Sequence, residues 1–236
     1  MTAYRDDLPE LPAHMQRLPL SAKGYPVPYF VANVDGEPDF RIADPAKLKR
    51  CVRENRCWLC GEPLGRYKAF VIGPMCCVNR IANEPPSHLD CATYAARACP
   101  FLTRPHAQRR TANLTDDRSM PPGEAVMRNP GAVAVWVTTS WELMRLPDGY
   151  LFRIGDPHAV SWYAEGAPAS LDDVLGPFES GVDILREAAN AQGAAALAYL
   201  DRQTAYARAY LPGEPPAVDP STRLAAPPAE PPPPPA

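Results

Sequence analysis

Alternating apolar and polar positions predict two short strands early in the chain, over residues 29–34 and 40–43. An Asp-Gly pair separates them, and this dipeptide is typical of a tight hairpin turn. An Asp-Pro pair at 44–45 then favours the start of a helix, because aspartate caps the first turn and proline is tolerated within it. One apolar stripe at helical spacing follows, formed by Leu48, Cys51 and Val52. A hairpin and an amphipathic helix therefore lead into the cysteine-rich part of the chain.

A second set of apolar runs lies beyond residue 130 and predicts antiparallel strands. Residues 132–139 are rich in β-branched side chains, and residues 141–146 alternate between apolar and polar. A Pro-Asp-Gly turn comes next, and residues 150–154 are expected to form the returning strand.

Helical sequence follows these strands. Ser170 and Asp173 have the spacing of a capping box, in which each side chain accepts the backbone N–H of the other residue. A Gly-Pro pair at 176–177 is expected to break or kink this helix, because proline lacks an N–H. Two further helices are predicted over residues 178–190 and 194–210, separated by a glycine. We expect them to pack as a helical hairpin against the short sheet.

The segment after the first helix carries the strongest chemical pattern in the chain. Cys57 and Cys60 form a Cys-x-x-Cys motif followed directly by Gly61. This spacing lets two thiolates face one metal ion from a tight turn, and the glycine relieves the backbone there. A hairpin is predicted next, with strands over residues 67–72 and 75–81 joined by a Gly-Pro pair.

A second pair of metal-ligand residues follows the predicted hairpin. Ser87 is expected to cap a helix that continues into an alanine-rich sequence. His88 and Cys91 then lie three residues apart on one face of its first turn, where the helix dipole favours an ionised thiolate. The two pairs together predict a metal site.

The turn that carries Cys57 and Cys60, which we term the knuckle, is followed by a predicted hairpin and a helix. This order over residues 55–100 resembles the treble-clef zinc fold. The resemblance implies that one zinc ion is bound by Cys57, Cys60, His88 and Cys91. Four protein ligands leave no coordination position for water, so the zinc is expected to be structural and not catalytic. The same stretch also resembles a family of bacterial and phage proteins with a CW-x-CGEPLG motif, a likeness that implies no activity.

Other cysteines leave alternatives open. Either Cys76 or Cys77, on the second predicted hairpin strand, can replace the histidine as the fourth ligand. Cys51 and Cys99 are expected to pack in the core, and a second metal held by Cys99 and His106 is the open alternative. Without any metal, all these thiols become core side chains, because free cysteine packs as a small hydrophobe.

Composition indicates an α+β protein with proline-rich ends. The 236 residues include 31 prolines and seven cysteines. No run of eighteen apolar residues marks a membrane span, and the acidic N-terminal sequence lacks the apolar segment of a secretory signal. We therefore expect a cytoplasmic protein whose cysteines bind metal instead of forming disulfides.

The proline distribution also predicts the domain organisation. Eleven of the last 25 residues are proline, too few apolar side chains remain there for a core, and the segment is expected to be disordered. From the N-terminus we predict a flexible arm over 1–21, a hairpin-helix and zinc-binding module over 22–112, a linker over 113–130, an α+β region over 131–211 and the proline-rich tail over 212–236.

Charge is distributed unevenly along the chain. Residues 49–110 carry eleven Lys and Arg against four Asp and Glu, a formal +7, whereas the remainder is −10. A compact basic module suits contact with phosphates. The candidate cations are Arg66, Lys68, Arg80, Arg97, Arg104, Arg109 and Arg110. The pattern predicts an accessory protein that binds nucleic acid or an acidic partner, and the alternative is a protein-interaction scaffold that does not bind nucleic acid.

Enzyme chemistry has little support in the sequence. HNH-type nucleases use a treble clef but need a general-base histidine on the hairpin and polar metal ligands on the helix. No histidine lies between Gly61 and Ser87, and the helix after Cys91 reads Ala-Thr-Tyr-Ala-Ala-Arg-Ala, so a nuclease is disfavoured. His158 lies two residues after Asp156, a spacing that permits an acid-base pair but is better explained by turn formation.

Overall fold

The computed structural model describes residues 3–104, 107–108, 129–147 and 149–213. Most of the predicted linker (residues 113–128) and of the predicted proline-rich tail (residues 214–236) lies outside the described residues. The described helices are a 3₁₀ turn (Ala13–Met15), α1 (Pro45–Glu54), α2 (Pro74–Asn79), α3 (Leu89–Ala98), α4 (Leu171–Gln192) and α5 (Ala194–Arg208).

Within the described residues nine strands accompany the helices, and all their pairings are antiparallel. They are β1 (Val31–Val34), β2 (Glu37–Ala43), β3 (Lys68–Ile72), β4 (Ile81–Ala82), β5 (Val133–Thr138), β6 (Trp141–Leu146), β7 (Gly149–Ile154), β8 (Pro157–Ala164) and β9 (Ala167–Pro168). Their spatial orders are β1-β2, β3-β5-β8-β9 and β4-β7-β6. The predicted α+β class is confirmed.

Strand pairing crosses the boundary between the two predicted domains. β3 pairs with β5 from Lys68 opposite Thr138 to Ile72 opposite Ala134, and β4 pairs with β7. Helix α2 packs on α4 and α5. The two predicted domains therefore share sheets and a core.

The β3-β5-β8-β9 sheet is covered on both faces. Along β5, Ala134 and Trp136 face the large core with α2, α4 and α5, whereas Val133, Val135 and Val137 pack with residues of α3. Burial on both faces explains the continuous apolar run in this strand. The sheet thus holds α3, which carries the predicted ligand Cys91, in a fixed place.

The N-terminal hairpin and α1 form as predicted. Asp35 and Gly36 both adopt positive φ, at 52° and 88°, as a tight hairpin turn requires. The Asp44 side chain accepts hydrogen bonds from the backbone N–H groups of Ala46 and Lys47, at 2.8 and 3.2 Å, and so caps α1.

The second strand of the predicted hairpin is wrong. Most of residues 75–81 form helix α2, with Pro74 in its first turn. Pro74, Cys77 and Val78 recur at helical spacing and are buried, so a helix hides all three from water whereas a strand would not. The apolar positions of this segment recur at helical spacing, which the hairpin prediction did not take into account.

Two other predictions in the C-terminal half change. Asp156 lies in the connection between β7 and β8, as expected for a turn, whereas His158 belongs to β8, which begins at Pro157 and pairs with β5. Helix α4 also runs without interruption through Pro177. Val174, Phe178 and Val182 are buried in one stripe of α4, and burial worth about 1.5–3 kcal/mol for each outweighs the roughly 3 kcal/mol of an internal proline. The capping box of Ser170 and Asp173 is confirmed.

Residues 3–21, part of the predicted flexible arm, are packed against the fold. Met15 is only 1% exposed and lies in a cluster with Leu59, Leu64 and Tyr94. The hydroxyl groups of Tyr4 and Tyr94 lie 2.9 Å apart. The prolines of this segment favoured the prediction of a flexible arm, but its apolar residues anchor it to this cluster.

None of the described helices combines the length and the apolarity needed to cross a membrane.

Candidate metal centre

Four side chains from two distant parts of the chain form a cluster that could hold a metal ion. One ligand atom each from Cys57, Cys60, His88 and Cys91 lies within 4.8 Å of the other three. The three cysteines are buried and His88 is half-buried. These are the four residues that the sequence singles out.

The first pair of cysteines lies in a tight turn held by backbone hydrogen bonds. The Cys57 N–H donates to Glu62 O at 2.7 Å, and the Gly61 N–H donates to Cys57 O at 2.9 Å. Gly61 has φ +79°, the left-handed conformation in which glycine is favoured. This turn directs both thiols to the same side.

The Cys57 sulfur accepts hydrogen bonds from backbone N–H groups of both halves of the site. The N–H groups of Cys60 and His88 each lie 3.4 Å from Cys57 Sγ. Such bonds stabilise a thiolate before any ion is bound. The sulfur of Cys57 therefore links the knuckle to the start of α3.

The second pair of candidate ligands is placed by the end of an extended segment. Ser87 and Ala69 exchange two backbone hydrogen bonds of 2.8 Å, which brings the chain beside β3. The prediction that Ser87 caps α3 is wrong, because this pairing keeps Ser87 extended and His88 occupies the N-cap position. Cys91 then lies in the first turn of α3, three residues after His88, as predicted.

The histidine ring is oriented by a backbone carbonyl. His88 Nε2 lies 3.1 Å from Pro63 O, while Nδ1 lies 3.4 Å from Cys60 Sγ and 3.9 Å from Cys91 Sγ. A proton on Nε2 satisfies the carbonyl and leaves the lone pair of Nδ1 directed into the cluster. Metal-binding histidines commonly have such an oriented second nitrogen.

The pKa values of the cluster show how it accommodates negative charge. Burial opposes ionisation of Cys57, but hydrogen bonds from Cys60, Cys91 and His88 outweigh it and hold the pKa of Cys57 below its usual value. The hydrogen bond to Cys57 raises the pKa of Cys60 to about 12 and also raises the pKa of Cys91. Its hydrogen bond with Cys57 raises the pKa of His88 as well. The side chains are thus arranged around one thiolate, which suits a bound cation.

The remaining cysteines do not join the cluster. Cys76 and Cys77 lie on α2, where burial raises the pKa of Cys76 to about 11, and Cys77 is part of the large core. The Cys51 thiol donates to Cys57 O at 3.8 Å, and burial raises its pKa to about 12, so this thiol supports the knuckle from outside. The alternative with Cys99 and His106 remains a prediction, since His106 lies outside the described residues.

The structure separates the predicted cations instead of gathering them on one surface. Lys68 on β3 lies opposite Thr138 on β5, and Thr138 in turn lies opposite Pro157 at the start of β8. Arg97 lies beside Gly166, just beyond the end of the same strand, where Arg104 also lines a groove. The eight residues of β8 place these two groups roughly 25 Å apart.

Arg80 and the predicted pair of Asp156 and His158 make contacts that hold elements of the fold together. Arg80 is a left-handed helix cap that pairs with Asp156 at 2.9 Å and donates to Ile154 O, so it holds α2 to the β7–β8 connection. Asp156 also accepts a 3.0 Å hydrogen bond from Tyr206, while the His158 ring packs on Tyr67. Arg109 and Arg110 lie outside the described residues.

Sequence reasoning missed one side chain beside the cluster. The His14 ring stacks on His88, with centroids 4.1 Å apart and planes 6° from parallel, and its Nε2 lies 3.9 Å from an Asp90 oxygen. His14 and His88 are 74 residues apart in the sequence, so no local spacing pattern could have predicted this contact.

Sequence reasoning also left four cations unnamed, three on α1 and one just after its C-cap. They were included in the net charge of the module but not among the candidate contacts: Lys49, Arg50, Arg53 and Arg56. The polar face of the amphipathic α1, which carries the first three, was the signal that could have identified them.

We predict that Gly61→Ala destabilises the metal centre by about 2 kcal/mol. A methyl group there would lie 2.6 Å from the Tyr29 ring, and the φ of +79° would be strained for alanine. Urea unfolding of the two proteins measures the effect.

Gly65→Ala is the matched control for this substitution. Gly65 lies in the same loop, has no positive φ, and no atom lies within 4 Å of the position of an added Cβ. Equal stability of the two variants would contradict the role assigned to Gly61.

The features of the treble clef are present only in part. The knuckle and the helix with a ligand in its first turn are found, but α2 replaces the second hairpin strand between them. Comparison of the chain with protein-family models, curated proteins and solved structures finds no match.

Proposed function

We propose that this chain is a zinc-stabilised accessory binding protein that contacts nucleic acid through a basic surface next to its metal centre. The observation that carries the proposal is the convergence of four ligand atoms from Cys57, Cys60, His88 and Cys91. Three thiolates and one imidazole are a donor set that zinc prefers. With four protein ligands the coordination sphere is complete, so the zinc is structural.

The metal would add a direct link between segments that already pack together. The knuckle, the start of α3 and the packed residues 3–21 meet in one small cluster, whose apolar members include Met15, Leu59 and Tyr94. So small a cluster buries little apolar surface, and a bound metal contributes folding energy directly in such modules.

The nucleic-acid contact is assigned to a set of six cations that we term the basic strip. It consists of Lys49, Arg50, Arg53, Arg56, Arg66 and Lys68. The only acids between residues 49 and 68 are Glu54 and Glu62, so this stretch has a formal charge of 6 − 2 = +4. Such an excess of positive charge attracts nucleic-acid phosphates, and binding then releases the counterions of those phosphates.

One carboxylate is shared by three members of the basic strip. Arg50, Arg53 and Arg56 donate to Glu54 at 3.0, 2.6 and 2.7 Å. Hydrogen bonds from these three guanidinium groups, that of Arg53 first, lower the pKa of Glu54 to about 2. Two positive charges therefore remain uncompensated at this place.

The knuckle connects the two halves of the basic strip. The Leu64 N–H donates to Asn55 O at 2.8 Å, and the Asn55 side chain donates to Leu64 O at 3.1 Å. Arg56 forms an antiparallel bridge with Pro63. The ligands Cys57 and Cys60 lie between these contacts, so zinc would maintain the spacing between the helix cations and Arg66 and Lys68.

A protein-interaction scaffold is the second candidate function. Leu89 is 51% exposed at the start of α3 and lines a groove with Pro9 and Pro12. An exposed apolar side chain in a groove suits a protein partner.

Fluorescence anisotropy with a labelled 20-base-pair DNA duplex tests the nucleic-acid proposal. About four phosphate contacts should weaken binding roughly 100-fold between 50 and 200 mM salt. The double substitution Arg50→Ala with Arg53→Ala should reduce the slope of log affinity against log salt by about two.

Arg186→Ala with Arg202→Ala is the matched control, because these arginines lie on α4 and α5 and do not belong to the basic strip. Binding that does not depend on salt, or no binding by the zinc-loaded protein, would support the scaffold instead.

A further inference from the structure

We propose that Tyr67 is a base-stacking platform at one end of the basic strip, and that the ligand of this surface is therefore single-stranded nucleic acid. This inference rests on the proposed function. It names the class of nucleic acid and a side chain that contacts the bases.

Tyr67 is exposed although it is a large aromatic residue. Its side chain is 43% exposed, and it lies between Arg66 and Lys68 at the entry to β3. An aromatic ring flanked on both sides by cations is the combination that single-strand binders use, because the ring stacks on a base while the cations contact adjacent phosphates.

The backbone around Tyr67 is fixed. Lys68 Nζ donates to the carbonyls of Gly65 and Arg66, at 2.9 and 3.2 Å, which closes the loop upon itself. Lys68 also begins the ladder with β5, opposite Thr138. Tyr67 thus directly precedes a strand that is fixed in the sheet, which limits the backbone entropy lost when a base stacks on its ring.

One aromatic and one cationic side chain lie beside the ring. The His158 ring lies 4.8 Å from the Tyr67 ring, tilted by 37°, and the Arg66 guanidinium lies 5.6 Å from its centroid. Both neighbours provide flat or cationic surfaces that match a nucleobase and its phosphate.

A duplex cannot use this arrangement. Its bases are stacked within the helix, and only their edges are exposed in the grooves, whereas an unpaired base offers its whole face. In the proposed complex a single strand contacts the helix cations and places one base on Tyr67. The cations alone would bind either form, so the aromatic ring is what distinguishes the two.

The chain contains a matched control for Tyr67. Tyr199 on α5 is 37% exposed and has Arg202 at 5.8 Å from its ring, but the adjacent Asp201 pairs with Arg186 on α4. It has similar exposure and a similar arginine neighbour without the surrounding excess of positive charge.

The test compares two probes on the zinc-loaded full chain: a labelled 20-nucleotide single strand of thymidylate and a labelled 20-base-pair duplex. Tyr67→Ala is expected to weaken single-strand binding about tenfold, with unchanged affinity for the duplex and an unchanged salt slope. Tyr67→Phe should retain wild-type affinity, since its ring is kept. Tyr199→Ala should bind both probes as wild type does.

The outcomes separate this inference from the proposed function. If Tyr67→Ala binds the single strand like wild type while the Arg50 and Arg53 double substitution weakens it, stacking is overturned and nucleic-acid binding stands. Equal losses on both probes, at unchanged zinc content, would assign Tyr67 to the phosphate contact and also overturn stacking. If wild type binds neither probe, both proposals are wrong.

Discussion

Cys60→Ser is expected to remove about one zinc ion per chain and to lower the free energy of unfolding by about 4 kcal/mol or more. Serine is a poor zinc ligand, and Cys60 Sγ lies only 3.4 Å from His88 Nδ1, in the middle of the cluster. Losing this ligand opens the coordination sphere and releases the knuckle from α3. Metal analysis, thiol counting with and without chelator, and urea unfolding measure the three consequences.

Cys99→Ser is the control for general effects of losing a thiol. Cys99 lies at the C-terminal end of α3, the opposite end from the ligand Cys91, and is half-buried. We expect it to retain the metal and to lose less than about 1 kcal/mol. A stably folded wild type without zinc would contradict the metal assignment, and the four side chains would then be core residues.

Trp136→Ala is expected to destabilise the whole chain by about 3–5 kcal/mol. Trp136 is 1% exposed, lies opposite Phe70 in the pairing of β3 with β5, and donates from Nε1 to Gly155 O at 3.0 Å. The substitution therefore leaves a cavity between segments from both predicted domains, together with an unpaired carbonyl. Chemical unfolding monitored by tryptophan fluorescence and by metal release measures the effect.

The two probes also test whether the domains unfold together. Because β3 and β5 belong to one sheet, the two transitions should coincide and shift together in the variant. Trp136→Phe, which keeps most of the buried volume, should show a clearly smaller loss. A metal-release transition that stays at its wild-type position in Trp136→Ala would contradict a shared core.

Local sequence patterns predicted the structure correctly wherever it depends on a few neighbouring residues. The Asp-Gly turn, the Asp44 cap and the Ser170 capping box were all predicted, because each depends on hydrogen bonds within four residues. The ligand set was also visible, since Cys-x-x-Cys and His-x-x-Cys spacings reflect the local geometry of a turn and of a helix start.

Local patterns failed where burial comes from distant residues. Residues 75–81 were predicted as a strand, but α4 and α5 cover the helical face of α2. Pro177 was expected to interrupt α4, but the core buries the residues around it. These contacts involve partners far apart in the sequence, which no short pattern contains.

The position of the functional groups depends on the same distant contacts. The positive charge of residues 49–110 is a property of the sequence, yet its division between the two ends of the β3-β5-β8-β9 sheet follows from strand pairing. His14 beside His88, and His158 beside Tyr67, result from packing alone.

For this protein, residue types and spacings were enough to identify the α+β class, the four candidate metal ligands and the basic character of the segment that holds them. They could not reveal that the two predicted domains share sheets, that residues 3–21 cover the metal centre, or which cations lie together. The physical reason is the range of the interactions. Caps, turns and ligand pairs act over a few residues, whereas sheet order and burial are decided by the packing of the whole chain.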